Sequence, residues 1–418
     1  MQKWRTISKS RAARQSNARP PQLKFIAWLI FLSAALCLSA LAPRLFAQDD
    51  AESLARTRPQ AYFAVKPLVG VSHRKIRALV QGAATIPFWD YSITSPLDGQ
   101  VYSGMMVGRS PFYHGARTTN ITTVIIPLIL QFSNGMVFDP TAADSTCSPA
   151  GTPVNLTQNS PIFTPLDITM GGEDMGITQY LDAFQRGNFW SNVSVTGNRY
   201  HTTLSPVIVA SAQTFSVPSS EGAVFPTNQY GGCGGTIGVA NIDWIDPLVT
   251  GTIIPNLAAQ GVGPTSFPII LLKDVVMSSG APSFPSNCCI IGYHGAYGTP
   301  VQTYSPVEYD TTGIFVGLSS ITAMSHEVGE WMDDPTGGNP APSWGHTGQV
   351  SGCQADLEVG DPLSGTEFPL LTAANGVTYR PQELAFFSWF FRQVPSIGVN
   401  GWYSDNGTFA QDAGAVCM

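Results

Sequence analysis

Charged side chains are scarce in this 418-residue sequence, where Asp, Glu, Lys and Arg make up 12% of the chain. Residues 1–48 hold eight of the 21 Lys and Arg but none of the 28 Asp and Glu. The rest therefore has 13 basic against 28 acidic residues, a formal charge of about −15. A surface of this sign repels nucleic acid and anionic lipid, so we expect no nucleic-acid partner.

Several catalytic motifs are also missing from the sequence. It contains no G-x-S-x-G motif, no EF-hand loop and no C-x-x-C pair, and the glycine-rich segment at 231–235 lacks the lysine of a phosphate-binding loop. No internal repeat or long low-complexity linker is found. These absences remove the serine hydrolases of that type, the nucleotide-binding P-loop proteins and the cysteine-type zinc sites from consideration.

The N-terminus has the order of a secretory signal. Residues 1–24 carry seven basic residues, and residues 25–42 carry no charge. Leu45 and Ala47 then suit the −3 and −1 positions of a signal-peptidase cut before Gln48. We predict that residues 1–47 are a signal peptide or an uncleaved N-terminal anchor, the only membrane contact, and that the protein is secreted or held in the cell envelope.

Cysteine usage agrees with export. Six cysteines lie beyond the signal, an even number that allows up to three disulfides in an oxidising compartment. Cys288 and Cys289 are adjacent, so we predict that each pairs with a different partner.

The most informative segment is Met-Ser-His-Glu-Val-Gly-Glu-Trp-Met-Asp-Asp-Pro at 324–335. It predicts a helix from about Ile321 to Asp333, where positions i and i+4 share one face. His326 and Glu330 would then bind one metal ion, while Glu327 serves as general base on a metal-bound water. The alternative is a surface helix whose acidic side is simply solvated.

A downstream acid strengthens the metal interpretation. Glu358 lies 32 residues after His326 in the segment Asp-Leu-Glu-Val-Gly-Asp-Pro-Leu. With it, residues 267–365 resemble the gluzincin group of zincin metallopeptidases, in which H-E-x-x-H supplies two ligands and a later glutamate the third. The resemblance implies that Glu358 is the third zinc ligand and that Glu330 replaces the second histidine. Asp361 and Asp334 are alternative third ligands.

Two further histidines lie in the same half of the sequence. His294 follows a predicted strand and is either a ligand, an oxyanion donor or a structural residue; His346 lies in the loop between the motif and Glu358 and could line the cleft.

The expected fold is α+β, with a β-rich region over 48–230 and a zincin-like half, made of short strands and a metal-bearing helix, over 231–418. The expected function is an exported zinc-dependent peptide hydrolase acting on peptides or proteins. One alternative is a non-catalytic envelope or surface protein of zincin-like fold with a structural metal such as Ca²⁺. Another is a carbohydrate-active protein that uses its tryptophans, Trp331, Trp344, Trp389 and Trp402.

Overall fold

The computed structural model describes residues 58–417 except 69–72, 81, 144–146, 234, 316–317, 319, 412–413 and 415–416. The predicted signal or anchor lies outside the described residues. Within them, no helix combines the length and apolar character needed to cross a bilayer.

The structure is mostly β, with 38% strand and 20% helix. The strands are β1 (Tyr62–Lys66), β2 (Phe88–Thr94), β3 (Val101–Val107), β4 (Gly115–Phe132), β5 (Val137–Phe138), β6 (Leu166–Met170), β7 (Glu173–Thr178), β8 (Asn198–Val209), β9 (Gln213–Val217), β10 (Gly222–Pro226), β11 (Thr236–Asn241), β12 (Phe267–Lys273), β13 (Val275–Ser278), β14 (Ile290–Tyr297), β15 (Gln302–Tyr309), β16 (Pro340–Thr347), β17 (Val350–Asp356), β18 (Leu371–Thr372) and β19 (Thr378–Tyr379).

The helices are short. They are α1 (His73–Val80), α2 (Pro153–Gln158), α3 (Tyr180–Asn188), α4 (Trp190–Val193), α5 (Ile242–Leu248), α6 (Ile254–Asn256), α7 (Thr322–Asp333) and α8 (Phe387–Phe390). A π-helical segment, Val249–Ile253, joins α5 to α6, and 3-10 turns occur at Asn228–Tyr230, Ala258–Gln260, Asp361–Leu363 and Val399–Gly401.

One large curled sheet of eleven strands organises the molecule. Its order is β10-β11-β13-β14-β15-β12-β4-β5, with β1 added to β14 and with β8 and β9 added to β4. The pairing is mixed: β12 is parallel to both β4 and β15, whereas β14 is antiparallel to β15. The remaining eight strands form four two-stranded sheets.

The expected α+β fold with a zincin-like half is therefore wrong, because a large mixed sheet dominates the structure and a zincin-like arrangement is not shown. The division at residue 230 stays a prediction; strands from both sides of it share the large sheet.

Each face of the sheet is covered by apolar packing. Helix α7 covers the β14–β15 face, where Trp331 stacks on Phe267 with ring centroids 3.6 Å apart and donates to Thr303 Oγ1 at 2.9 Å. On the other face, the buried side chains of α5, the π segment and α6 pack against strand residues such as Ile270 and Leu272. Burial of this apolar surface is the main force that fixes α7 in place.

The six cysteines among the described residues form three disulfides: Cys147–Cys233, Cys288–Cys289 and Cys353–Cys417. The prediction that Cys288 and Cys289 take different partners is wrong, since they are bonded to each other across a cis peptide.

Candidate metal centre

Helix α7 carries three of the predicted site residues into the interior. All twelve of its residues are buried, and His326 and Glu327 are 0% exposed. The alternative of a surface helix with a solvated acidic side is therefore wrong. The acidic side chains of α7 are buried, and an ionised carboxylate that is buried needs a partner.

The environment of His326 fixes which ring nitrogen is free. Its Nδ1 lies 3.0 Å from Gln382 Oε1, and the amide nitrogen of Gln382 donates to the carbonyl of Gly360 at 2.7 Å. Because Gln382 presents an acceptor, Nδ1 carries the proton. The Nε2 lone pair is then left facing Glu330 Oε1 at 3.0 Å, and it has no hydrogen-bond partner among the described residues.

His294 has the opposite arrangement. Its Nε2 lies 3.0 Å from the backbone carbonyl of Asp334, which can only accept, so Nε2 carries the proton. Its Nδ1 lone pair faces Glu327 Oε2 at 3.2 Å and Glu330 Oε2 at 3.7 Å. Burial lowers the pKa of His294 to about 4, so the ring is neutral at pH 7. A lone pair placed against carboxylate oxygens requires either a proton or a cation between them.

Glu330 lies at the centre of the cluster. The backbone N–H groups of Gly360 and Asp361 donate to its Oε1 at 3.1 and 3.2 Å. Burial raises its pKa, but the positive charges that His326 and His294 carry when protonated outweigh this and lower the pKa below its usual value. Glu330 therefore lies between the two imidazole rings, and it needs a proton or a cation between its oxygens and their lone pairs. The separations of 3.0 and 3.7 Å bracket the edge of about 3.3 Å between two ligands on a tetrahedral zinc ion.

Glu358 also converges on this position. It is 2% exposed, its Oε2 lies 3.9 Å from His294 Nε2, and neither of its oxygens has a hydrogen-bond partner among the described residues. Ligand atoms of His294, Glu330 and Glu358 lie within 4.8 Å of one another. Burial, followed by the charge of Glu330, raises the pKa of Glu358 well above its ordinary range.

Glu327 and Asp361 complete the acidic surroundings. Glu327 Oε1 has no hydrogen-bond partner among the residues described. Asp361 Oδ1 lies 3.6 Å from His326 Nε2, and its carboxylate accepts from Gln349 and Gln354. Burial and the charge of Glu330 raise the pKa of both acids well above their ordinary values.

Two of the candidate residues, Asp334 and His346, have other positions or partners than the cluster. The carboxylate of Asp334 accepts from the backbone N–H groups of Gly338 and Asn339 at 3.0 and 2.8 Å, so it holds the turn that follows α7, and burial raises its pKa to about 7. His346 is exposed and lies beside the Cys353–Cys417 disulfide instead of the buried cluster.

Close backbone approach shapes the wall of the centre. A Cβ atom on Gly360 would lie 2.4 Å from His326 Nδ1, and one on Gly292 would lie 2.8 Å from Glu327 Cγ. The ring of Phe63 stacks on His326, with centroids 3.5 Å apart. Gly360 and Phe63 therefore pack directly against His326, and Gly292 packs directly against Glu327.

A surface depression of about 350 Å³ lies next to Phe63. Phe63 and Gln349 line it, and the same two side chains contact His326 and Asp361 behind them. Gln349 also bonds both backbone groups of Phe63, accepting at 2.8 Å and donating at 3.2 Å. Phe63 and Gln349 therefore lie between this depression and the centre.

Sequence reasoning missed the parts of the site that come from distant segments. His294 was identified only as one possibility among three, although its position between glycines in a buried strand was the available signal. Gln382 and Phe63 lie 56 residues after and 263 residues before His326, and no local pattern marks either of them.

Comparison of this chain with protein-family models, with curated proteins and with solved structures finds no match.

Proposed function

We propose that the buried cluster binds one zinc ion through His326, Glu330 and His294, with Glu358 within reach as a further ligand. The two histidines belong to two groups of potential ligands that share Glu330, His294 with Glu358 and His326 with Glu327, so the two rings must draw together around the ion. The observation that supports this most directly is the group of unpaired buried atoms: His326 Nε2, Glu327 Oε1 and both oxygens of Glu358. Buried polar atoms almost always have a partner, and a cation would supply one for His326 Nε2 and for Glu358.

The chemistry of the donor set favours zinc over calcium. Imidazole nitrogens suit zinc, whereas calcium is bound by oxygen ligands. Two imidazoles and one carboxylate are also a ligand set used by zinc hydrolases. His294, from strand β14, would supply the second histidine that the helix lacks at Glu330.

On this basis the protein is an exported metal-dependent hydrolase of peptide bonds. Zinc, when bound, polarises a carbonyl and makes water more acidic. Glu327 is the general base: its Oε1 has no hydrogen-bond partner among the described residues, and its pKa is raised by burial and by Glu330. A base with a raised pKa can take a proton from water and pass it to the leaving nitrogen.

The substrate would approach from the depression at Phe63 and Gln349. Both side chains must move for a peptide carbonyl to reach the cluster, because they are the groups that lie between it and the outside. A peptide or protein segment remains the proposed substrate.

A non-catalytic metal protein is the second candidate, and one observation favours it. The cluster is fully buried, and structural zinc sites are closed by four protein ligands, whereas catalytic sites keep one position open. If Glu358 is the fourth ligand, the metal would stabilise the fold only. The carbohydrate alternative gains no support, since Trp331, Trp344 and Trp389 are buried in the core.

Export remains part of the proposal. The three disulfides suit an oxidising compartment, and the predicted signal precedes the described residues.

Glu327→Gln and His326→Ala test the two candidates. As a hydrolase, Glu327→Gln should keep its zinc and lose about two to four orders of magnitude in rate, whereas His326→Ala should lose the zinc itself. Glu173→Gln, an exposed acid in β7, is the matched control. The measurements are zinc content and cleavage of an unfolded-protein mixture. Equal cleavage by wild type and Glu327→Gln would contradict the hydrolase, and bound zinc without any cleavage in the wild type would favour the structural metal.

A further inference from the structure

A second group of carboxylates lies at the carboxyl ends of two central strands of the large sheet. Strands β12 and β15 are parallel neighbours, and Lys273 pairs with Tyr309 at their carboxyl ends. Asp274 directly follows β12, Glu308 is the penultimate residue of β15, and Asp310 directly follows it. One oxygen from each of the three acids lies within 4.8 Å of the others.

Two of these acids are held in place by the loop itself. The backbone N–H and the hydroxyl of Thr311 each donate to Asp274 at 2.6 Å. The same groups of Thr312 donate to Asp310 Oδ1 at 2.8 and 2.6 Å. The loop is tied down in turn, because Cys233, which is bonded to Cys147, donates its N–H to the carbonyl of Thr312 at 2.8 Å.

Glu308 differs from its neighbours because it lacks such support. It is 3% exposed, and its Oε1 has no hydrogen-bond partner among the described residues. This oxygen belongs to the carboxylate that shares the cluster with Asp274 and Asp310. A buried carboxylate oxygen with no donor is costly, and here it stands beside two further acids.

The local charge is unbalanced. Lys273 is the cation that acts on Asp274, against three carboxylates in the cluster. Burial raises the pKa of Asp274 to about 7, and burial together with Asp310 and Asp274 raises the pKa of Glu308 well above its usual value. Without a cation, the cluster must therefore hold protons at neutral pH.

We infer that Asp274, Glu308 and Asp310 form a binding site for one calcium ion, separate from the histidine-containing centre on α7. All of its donors are oxygens, which suits a hard cation and does not suit zinc. Oxygens about 2.3 to 2.6 Å from a calcium ion lie up to about 5 Å apart, and the three acids offer one oxygen each within that separation. Asp310 is partly exposed and gives the ion a path from solvent. The ion would fix the ends of β12 and β15 at the centre of the sheet.

The test is calcium titration of the full chain by calorimetry, after treatment with a chelator and reloading with zinc. The wild type should bind one calcium ion per chain and unfold at a higher temperature when calcium is present. Glu308→Gln should lose this ion. Asp310→Asn, a milder change at a partly exposed position, should weaken binding by at least about tenfold, the loss typical even of a group that only supports a ligand.

Two controls make the result specific. Glu173→Gln, an exposed acid remote from the loop in sequence, should bind calcium as the wild type does. Glu330→Gln should also keep the calcium ion, because it alters only the other centre. Absence of calcium binding in the wild type at millimolar concentration would overturn the inference. Unchanged binding in both Glu308→Gln and Asp310→Asn would overturn it equally.

Discussion

Substitution of Glu330 by glutamine should have opposite effects on the metal-free and the zinc-loaded protein. In the metal-free protein, a glutamine oxygen can still accept from the N–H groups of Gly360 and Asp361. Its amide nitrogen would take the place of the oxygen that lies 3.7 Å from the lone pair of His294, and it can donate there. We therefore expect the free energy of unfolding without metal to change by no more than about 1 kcal/mol.

Removal of the charge also relieves repulsion. Two unit charges 4 Å apart repel by about 4 kcal/mol at an effective dielectric constant near 20. Glu330 is among the charges that raise the pKa values of Glu327, Glu358 and Asp361. Its neutralisation should let these neighbours ionise at lower pH, which again does not destabilise the metal-free fold.

The zinc-loaded protein should respond in the other direction. Zinc at about 1,000 times its dissociation constant stabilises the wild type by about 4 kcal/mol. A thousandfold loss of affinity in Glu330→Gln would leave less than about 1 kcal/mol of this stabilisation. Chemical unfolding with zinc and with a chelator, together with metal analysis, measures both quantities.

A buried acid outside the centre provides the comparison. Glu383 is 0% exposed, and its oxygens accept from Ser404 and Thr408 at 2.6 to 3.0 Å. Glu383→Gln should cost about 1 to 3 kcal/mol whether or not zinc is present. The reasoning is refuted if Glu330→Gln keeps the full stabilisation by zinc, or if it behaves like Glu383→Gln and loses the same stability with and without the metal.

Two further predictions concern the same centre. Zinc affinity should rise with pH, with release of protons, because burial raises the pKa of Glu358 and a ligand carboxyl must ionise to bind the metal; calorimetry in buffers of different ionisation enthalpy measures the protons, and pH-independent binding would contradict it. Gly360→Ala should lose zinc, since its Cβ would lie 2.4 Å from His326, whereas Gly338→Ala, whose Cβ meets nothing within 4 Å, should keep it; equal zinc contents of the two variants would count against this geometry.

The sequence predicts the helix of the motif well and its surroundings poorly. The pattern around His326 and the proline at 335 place the helix at 321–333, and the structure has it at Thr322–Asp333. Local periodicity and a helix-breaking residue suffice for that. The sequence does not predict that the acidic side of this helix is buried, because the groups that cover it come from β1, β14 and the segment around Gln382.

Proline and aromatic residues elsewhere depart from what their local sequence favours. A proline usually interrupts a strand, yet β4 continues through Pro127. There β4 changes its neighbour from β8, which ends opposite Ile125, to β9, which begins opposite Leu128. A missing N–H costs little at such a gap.

The segment 384–391 is apolar nearly throughout, a composition typical of a buried helix, but only Phe387–Phe390 is helical. The backbone before it pairs with other segments, as in the bonds from Ala385 N to Val359 O and from Phe386 N to Tyr403 O. Ile314 and Phe315, although apolar and in one case β-branched, are likewise not in a strand. Tertiary pairing overrides local preference in such cases.

The position of Phe63 on His326 has a consequence for the order in which the protein can mature. The centre needs the ring of residue 63 at one end of the chain and the amide of Gln382 near the other, so no nascent chain shorter than 382 residues can contain it complete. Strand β1 reaches its place by pairing with β14, more than 220 residues later in synthesis. If the centre holds the proposed zinc ion, its loading is thereby tied to the finished polypeptide. A chain that has left the ribosome but has not yet docked β1 would present His326 without its aromatic cover, and that interval is when an ion has the shortest path to the histidine.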